Sequence, residues 1–293
     1  MIFIGESIHV VSKVINSAIQ ERNAVPIRKL AQLQEKAGAD YLDLNVGPLS
    51  KNPVDTIQWL VNCVQEVVDI PLSIDTTNPL AMEAALEVCE KPALINSANG
   101  SEFSKETIFP LAQKYSSDLI ILTFSDEGMP TDADERASFV VDILEYANGM
   151  GIPNEKIWID SVLMPVCVNQ EQILQYIEFL KMFDDIAPGA KSITGLSNAS
   201  SCGTPPNLRA MLNRTLFSIL NRHGHTALIG DVLDQDLMRL NRGELPEIEE
   251  LIQRAEDGNQ IDYEALSEIE RAYVKTVDIL TGRKMYSHSW LDQ

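Results

Sequence analysis

The stretch that decides the fold is residues 41–75, which read YLDLNVGPLSKNPVDTIQWLVNCVQEVVDIPLSID. Its two ends, YLDLNV at 41–46 and PLSID at 71–75, are short apolar runs of the length typical of buried β-strands. Residues 53–68 between them form a helical stretch. Two strands that are joined through a helix pair in parallel by a right-handed crossover. The stretch therefore predicts one strand–helix–strand unit of an α/β fold.

The same alternation continues along the whole chain. Further strands are predicted at 1–6, 93–97, 118–124, 156–162, 192–198 and 226–230, and further helices at 11–37, 79–89, 104–115, 133–150, 170–183 and 207–222. Eight such units in 293 residues, with no Ser- or Gly-rich linker between them, favour one domain over 1–293 that forms a closed (β/α)8 TIM barrel. The alternative is an open doubly wound sheet, in which the first turn usually reads GxGxxG. The first turn of this chain reads GESIHV, so the barrel is favoured.

The acidic composition restricts the partners of the protein. The chain has 23 Lys and Arg against 43 Asp and Glu, a formal net charge of −20. A surface of this charge repels phosphate groups, so we expect no nucleic-acid partner and no anionic membrane partner. The N-terminus MIFIGESIHV has no signal-peptide pattern, and no apolar segment is long enough to span a membrane. These features predict a cytoplasmic protein.

The cysteines and histidines predict neither a disulfide framework nor a metal centre. Four cysteines lie far apart without a CxxC pair, at Cys63, Cys89, Cys167 and Cys202. The four histidines form no cluster of ligand spacing either. Reduced thiols and no intrinsic metal are therefore expected. The acidic, amphipathic stretches within 236–275 are typical of surface helices that follow the eighth strand.

Polar side chains stand where the predicted strands end. They are Glu6, Asp43 with Asn45, Asp75, Asn96 with Ser97, Thr123, Asp160, Ser197 with Asn198, and Asp231. A single polar strand end is ordinary, because Asp and Asn often cap the next helix, and Asp75 stands in such a position. The carboxyl ends of all barrel strands meet at one face, where TIM-barrel enzymes have their active sites. The pattern therefore predicts one site at this face.

The residue types at these positions restrict the classes of ligand that the site can bind. No Lys or Arg stands at any of the strand ends, so a phosphate or carboxylate ligand would have no counter-charge. No Ser-His-Asp or Cys-His set is present for nucleophilic attack. A rim of Asp and Asn suits a neutral, planar heterocycle with many hydrogen-bonding groups. A pterin is such a ligand, because a carboxylate can accept its amino group and ring N–H together.

Several of these segments together resemble a known family, the methyltetrahydrofolate:corrinoid protein methyltransferases. The segments are GESIHV, YLDLNVGP, LSIDTTNPLAMEAAL, LINSANG, WIDSVLMPV and ITGLSNAS. The family includes the methyltransferase of the corrinoid iron–sulfur protein and the transferases of O-demethylase and betaine-demethylase systems, and the pterin domain of methionine synthase is a larger relative. The resemblance runs from about residue 1 to 235 and resumes near 271–291, so residues 240–270 are expected to be a helical insertion.

The resemblance implies a dihydropteroate-synthase-like pterin-binding barrel and a role for each motif residue. Asp75, Asn96 and Asp160 would hold the pterin. Asn198 would approach the methyl-bearing nitrogen N5 as the catalytic residue. The same mouth would be lined by Glu6, Asp43, Asn45 and Ser197. The substrates would be methyltetrahydrofolate or tetrahydrofolate, with cobalamin on a separate corrinoid protein, because this chain lacks the DxHxxG pattern of cobalamin modules. A homodimer is also implied.

Two other functions stay open at this point. Dihydropteroate synthase shares the pterin barrel, but its pyrophosphate-bearing substrate requires basic residues on the strand loops, and no Lys or Arg stands at the strand ends of this chain. A pterin-binding or corrinoid-docking accessory protein without turnover is the second. Within the favoured function, the direction of transfer and the pathway, either acetyl-CoA synthesis or the demethylation of methoxyaromatics or betaines, are not set by the sequence.

Overall fold

The computed structural model describes residues 1–47 and 52–292 and contains a closed barrel of eight parallel strands. Each strand pairs with the next one along the chain, and the last pairs with the first. The (β/α)8 TIM barrel predicted from the sequence is confirmed. The strands are β1 Ile2–His9, β2 Tyr41–Asn45, β3 Leu72–Asp75, β4 Leu94–Asn99, β5 Asp118–Leu122, β6 Ile157–Asp160, β7 Lys191–Gly195 and β8 Ala227–Gly230.

Helices follow the strands and form the outer layer. They are α1 Lys13–Gln20, α2 Ala24–Ala37, α3 Pro53–Gln65, α4 Pro79–Val88, α5 Glu102–Thr107, α6 Phe109–Tyr115, α7 Ala133–Gly149, α8 Gln172–Ile186, α9 Leu196–Ala199, α10 Pro206–Arg222, α11 Gln235–Asn241, α12 Pro246–Glu256 and α13 Glu268–Leu280. The last three contain the acidic stretches predicted to be surface helices. That residues 240–270 are an insertion stays a prediction.

Two helices of the sequence prediction are each divided in two. The stretch 11–37 breaks at Arg22, which has a φ of 56°, and Asn23 then caps α2 by accepting a hydrogen bond from the Val25 amide. The stretch 104–115 breaks before Pro110, which has no N–H for a continuous helix. Local capping and proline chemistry therefore decide both breaks.

The strand predicted at 192–198 ends earlier than expected. β7 stops at Gly195, and the four residues of α9 follow directly. Ser197 and Asn198 therefore lie on a short helical turn at the mouth of the barrel and not on the strand.

The barrel is filled by a small apolar cluster that is separate from the larger core between strands and helices. Its buried members are Ile4, Leu94, Ile120, Trp158, Ile193 and Ala227. Trp158 is the largest; its ring meets Tyr41 edge-on at 5.6 Å, and its indole N–H donates to Asp118 at 2.9 Å. Since successive strand residues alternate between the two faces, the residues two positions further along point inward one layer higher.

We expect Trp158→Ala to destabilise the protein by about 3–5 kcal/mol, because it removes the largest buried side chain of this cluster and leaves a cavity. Urea denaturation followed by circular dichroism measures the change. Trp59→Ala is the matched control, since Trp59 is only half-buried on α3 and packs against the Arg22 guanidinium. Equal losses in the two variants would contradict the packing role of Trp158.

Every helix within residues 1–47 and 52–292 is too short or too polar to cross a lipid bilayer.

Candidate functional site

A layer of acidic and amide side chains lies directly above the apolar cluster. Asn45, Asp75 and Asn96 are in register across the neighbouring strands β2, β3 and β4. Asp43 and Ser73 are paired one layer lower on the same inward face. The sequence prediction that these strand ends come together is therefore met on this side of the barrel.

Asp43, on β2, forms hydrogen bonds to side chains of β3 and β4. Its Oδ1 accepts hydrogen bonds from the Ser73 hydroxyl at 2.6 Å and from the Asn96 amide nitrogen at 3.0 Å. The side-chain nitrogen of Asn96 faces Asp43, so the side-chain oxygen of Asn96 is turned away from that contact. This oxygen accepts no hydrogen bond in the described part of the chain. Asp43 thus presents Asn96 as an acceptor at the mouth.

Asp75 is held by its neighbour on β2. The Asn45 amide donates to Oδ2 of Asp75, and the Asn45 carbonyl oxygen accepts from the Gly47 amide at 2.8 Å. The orientation of the Asn45 amide is fixed by these two bonds. A cavity of about 610 Å³ opens beside Asp75 and extends between the starts of α4 and α5 to Phe103.

Burial raises the pKa values of both aspartates. The pKa of Asp43 is raised to about 7, mainly by burial and further by the nearby Asp75 charge, while the bonds from Ser73 and Asn96 oppose the rise. The pKa of Asp75 is also raised by burial and lowered by the bond from Asn45. Each of these two neighbouring carboxyl groups makes ionisation of the other less favourable, and neither has a cation beside it.

Asp160 stands at the end of β6, on the opposite side of the barrel. It is buried, and its Oδ1 accepts the Val162 amide at 2.7 Å. Burial raises its pKa to about 6, although the bond from the Val162 amide lowers it. Asp160 is therefore a carboxyl group whose ionisation becomes easier when a ligand donates hydrogen bonds to it.

Glu6 and Ser197 complete the rim between β1 and β7. The Ser197 hydroxyl donates to Oε2 of Glu6 at 3.0 Å. Burial raises the pKa of Glu6, the Ser197 bond lowers it, and the charge of Asp231 raises it further. Asp231 itself is exposed and accepts the Leu233 amide in the turn after β8.

Asn198 is exposed on α9, but its amide reaches inward over the end of β7. A Cβ built on Gly195 would lie 2.9 Å from Asn198 Nδ2. Gly195 follows the inward-facing Ile193 by two residues, so this Cβ would point into the barrel. The Asn198 amide therefore occupies the inward position at the end of β7, where only glycine leaves room for it.

One strand-end residue of the sequence prediction differs from expectation, and one residue of the inward layer was missed. Thr123 does not line the mouth. It follows the outward-facing Ile121 by two residues, so it points to the same side and is buried between the barrel and the helices. Ser73 was not predicted, although its position two residues before Asp75 on one strand was a usable signal. Within the described residues, none of the inward acids forms an ion pair with Lys or Arg; these are Glu6, Asp43, Asp75 and Asp160.

Comparison with known sequences gives this layer a family. The profile of the pterin binding enzymes matches residues 12–229, which include β2 to β7, all but the last residue of β8, and the whole inward layer except Glu6. The chain belongs to the pterin binding enzyme family. The family identification made from the sequence motifs is confirmed, and the protein is an enzyme of this family.

Relatives of the pterin binding enzyme share most of its length. The methylcorrinoid:tetrahydrofolate methyltransferase of Eubacterium limosum is 27% identical over 240 residues, which are 81% of this chain and 88% of that protein. Methionine synthase of Mycobacterium tuberculosis is 24% identical over 256 residues, but these are only 21% of that much longer protein.

Solved structures confirm the fold of the pterin binding enzyme. Dihydropteroate synthase of Vibrio fischeri superposes with a TM-score of 0.64 at 16% identity, covering 84% of this chain and 93% of that one. The Yersinia pestis synthase with a pterine-sulfa conjugate gives 0.61 at 17% identity over the same shares of the two chains. At this identity the likeness is one of fold.

Proposed function

We propose that this pterin binding enzyme moves a methyl group between N5 of methyltetrahydrofolate or tetrahydrofolate and the cobalt of a cobalamin carried by a separate corrinoid protein. The observation that supports it is an inward layer of acids and amides without a cation, in a chain that matches a methylcorrinoid:tetrahydrofolate methyltransferase over 88% of that relative. A cation-free layer suits a neutral ring with several N–H donors.

In the proposal, three side chains bind the pterin ring. Asp75 and Asp160 accept hydrogen bonds from its amino group and ring N–H, and Asn96, held by Asp43, accepts through Oδ1. Asn45 keeps Asp75 in place. A ligand that lacks these donors would leave buried carboxyl groups unpaired, so the layer selects against it.

Asn198 acts at N5 of the folate in this proposal. When the methyl group leaves N5, electron density builds on that nitrogen, and a hydrogen-bond donor there stabilises the transition state more than the ground state. The amide of Asn198 points inward over Gly195 and provides such a donor. Glu6 accepts a hydrogen bond from the neighbouring Ser197, and burial raises the pKa of its carboxyl group.

Dihydropteroate synthesis is the weaker candidate, because the structural likeness to two such synthases is one of fold and no ion-paired cation contacts the inward acids in residues 1–47 and 52–292. The name of the Eubacterium limosum relative gives methylcorrinoid as the donor. We therefore propose transfer toward tetrahydrofolate, as in demethylation systems, as the direction to test first. A homodimer and a cytoplasmic location belong to the same proposal.

The test is spectroscopic. The protein is mixed with methylcob(III)alamin and tetrahydrofolate, and with cob(I)alamin and methyltetrahydrofolate, while the corrin absorbance is followed. The proposal is supported if the protein interconverts the two corrinoid forms, if Asp75→Ala abolishes this activity and if Glu127→Gln retains it. Glu127 is the control because it is an exposed carboxylate outside the site. Tight pterin binding without any transfer, with free or protein-bound corrinoid, would favour a non-catalytic accessory protein. An absence of pterin binding would contradict both.

Pterin binding is expected to weaken below pH 6. The pKa of Asp160 is raised to about 6 in the empty site, so the ligand binds to a carboxyl group that must lose its proton first. Affinity should fall about 10-fold between pH 7 and pH 5. Calorimetry in two buffers of different ionisation enthalpy measures the released proton, with a pterin analogue that does not titrate in this range. The dependence should be weaker in Asp160→Asn, and equal affinities of the parent protein at pH 5 and 7 would contradict the assignment.

A further inference from the structure

Two of the four cysteines face each other across neighbouring loops at the mouth of the barrel. Cys167 lies in the loop between β6 and α8, and Cys202 lies in the loop between β7 and α10. The Cys167 thiol donates to the backbone carbonyl of Cys202, with 3.1 Å between Sγ and the oxygen. Loops that are 35 residues apart in sequence therefore bring the two residues together.

The thiol of Cys167 lies close to the backbone of Cys202. A carbonyl oxygen lies about 2.4 Å from the Cα of its own residue, so Cys167 Sγ is at most about 5.5 Å from Cys202 Cα. Disulfides join cysteines whose Cα atoms are about 4.4–6.8 Å apart. A disulfide between them therefore requires the Cys202 side chain to turn toward Cys167, with the two loops adjusting so that the Cα atoms lie in that range.

The surroundings favour reaction at these two thiols. Cys202 is exposed, and Cys167 is half-buried. The imidazole of His288 lies against Gly203, beside Cys202, where a Cβ would be 3.8 Å from its Nε2. The thiolate is the form of cysteine that reacts with oxidants, and exposure gives oxidants access to Cys202. Cys63 is buried on α3, and burial raises the pKa of Cys89 to about 12, so both are protected.

We propose that Cys167 and Cys202 form a dithiol modification site that hydroperoxides oxidise to an intramolecular disulfide. One thiolate attacks the O–O bond and becomes a sulfenic acid, while the hydroperoxide leaves as an alcohol, or as water when hydrogen peroxide is used. The second thiolate then attacks the sulfenic sulfur, the S–S bond forms, and the hydroxyl leaves as water. Two thiols are oxidised and one hydroperoxide is reduced.

The disulfide would restrain the loop that carries Asn198. Asn198 stands four residues before Cys202, and its carbonyl accepts the Ser201 hydroxyl at 2.8 Å. The bond would therefore tie the loop to the β6–α8 loop beside the candidate site. This proposal does not depend on methyl transfer.

The test is direct detection of the bond. The purified, reduced protein is treated with one equivalent of hydrogen peroxide, its remaining thiols are alkylated under denaturing conditions, and the digest is analysed by mass spectrometry. We expect a linked peptide pair that contains Cys167 and Cys202, a loss of two hydrogen atoms from the intact monomer, and full reversal by dithiothreitol.

Matched variants decide the outcome. Cys89→Ser should still form the bond, whereas Cys167→Ser and Cys202→Ser should not. Circular dichroism of the reduced variants confirms that they are folded. A sulfinic acid at Cys202 without a linked peptide, or a bond between two chains in the parent protein, would overturn the proposal.

Discussion

Replacing Asn198 by alanine is expected to slow methyl transfer about 10²–10³-fold while pterin affinity changes little. This is the usual effect of removing one preorganised donor that acts on charge developing in the transition state. The side-chain amide of Asn198 points into the mouth over Gly195 and makes no hydrogen bond within residues 1–47 and 52–292, so its loss leaves no buried partner unpaired. Single-turnover kinetics with methylcobalamin and tetrahydrofolate separate the rate from the affinity.

Two variants make this test specific. Asn207→Ala changes an exposed asparagine at the start of α10 and should keep the full rate. Gly195→Ala places a Cβ 2.9 Å from the Asn198 amide nitrogen and should slow transfer although Asn198 is still present. An Asn198→Ala enzyme with the rate of the parent protein would remove Asn198 from the mechanism.

Replacing Asp160 by asparagine is expected to weaken pterin binding at least about 100-fold at pH 8. Each hydrogen bond to a carboxylate contributes roughly 1.5–3 kcal/mol, and the proposed ring donates two. An amide of the same size offers only one acceptor atom and turns a donor toward the ring. Equilibrium calorimetry with methyltetrahydrofolate measures the loss, and Glu127→Gln is the exposed control.

The same substitution should raise the free energy of unfolding of the protein without pterin, although it weakens pterin binding. The pKa of Asp160 is near 3.8 when unfolded and is raised to about 6 by burial when folded. The folded state thus binds more protons, and stability falls as the pH rises through this window. The Asp160→Asn substitution removes that cost, on the order of 2–3 kcal/mol at pH 8. A variant that binds pterin normally, or that is less stable than the parent protein at pH 8, would contradict this account.

The strand ends were predictable because a parallel barrel must bring them to one face. Asp43, Asp75, Asn96 and Asp160 follow apolar runs, and alternation along each strand points all four inward. The hydrogen bonds between side chains of neighbouring strands were not predictable, because the register between strands is set by pairing along the whole barrel. The Asn45–Asp75 and Ser73–Asp43 bonds depend on that register.

The loops at the mouth were the least predictable part of the site. The apolar run before Ser197 and Asn198 predicts a strand there, and the structure has both residues on the short helix α9. The spacing of the four cysteines predicts isolated thiols, whereas the loops after β6 and β7 bring Cys167 to Cys202. Contacts between loops depend on distant packing, which neither periodicity nor motif spacing reports.

The apolar cluster around Trp158 has a consequence for how two large substrates meet. It closes the barrel from below, so the inward acids are reached from the carboxyl face only. A flat ring that binds these acids enters edge first and leaves its far edge toward solvent. In the proposed reaction, the methyl group would then stay near the protein surface, where a bulky carrier could approach it without opening the barrel. The barrel would bind the folate from its open end, and the corrinoid protein docked on the rim would complete the reaction site.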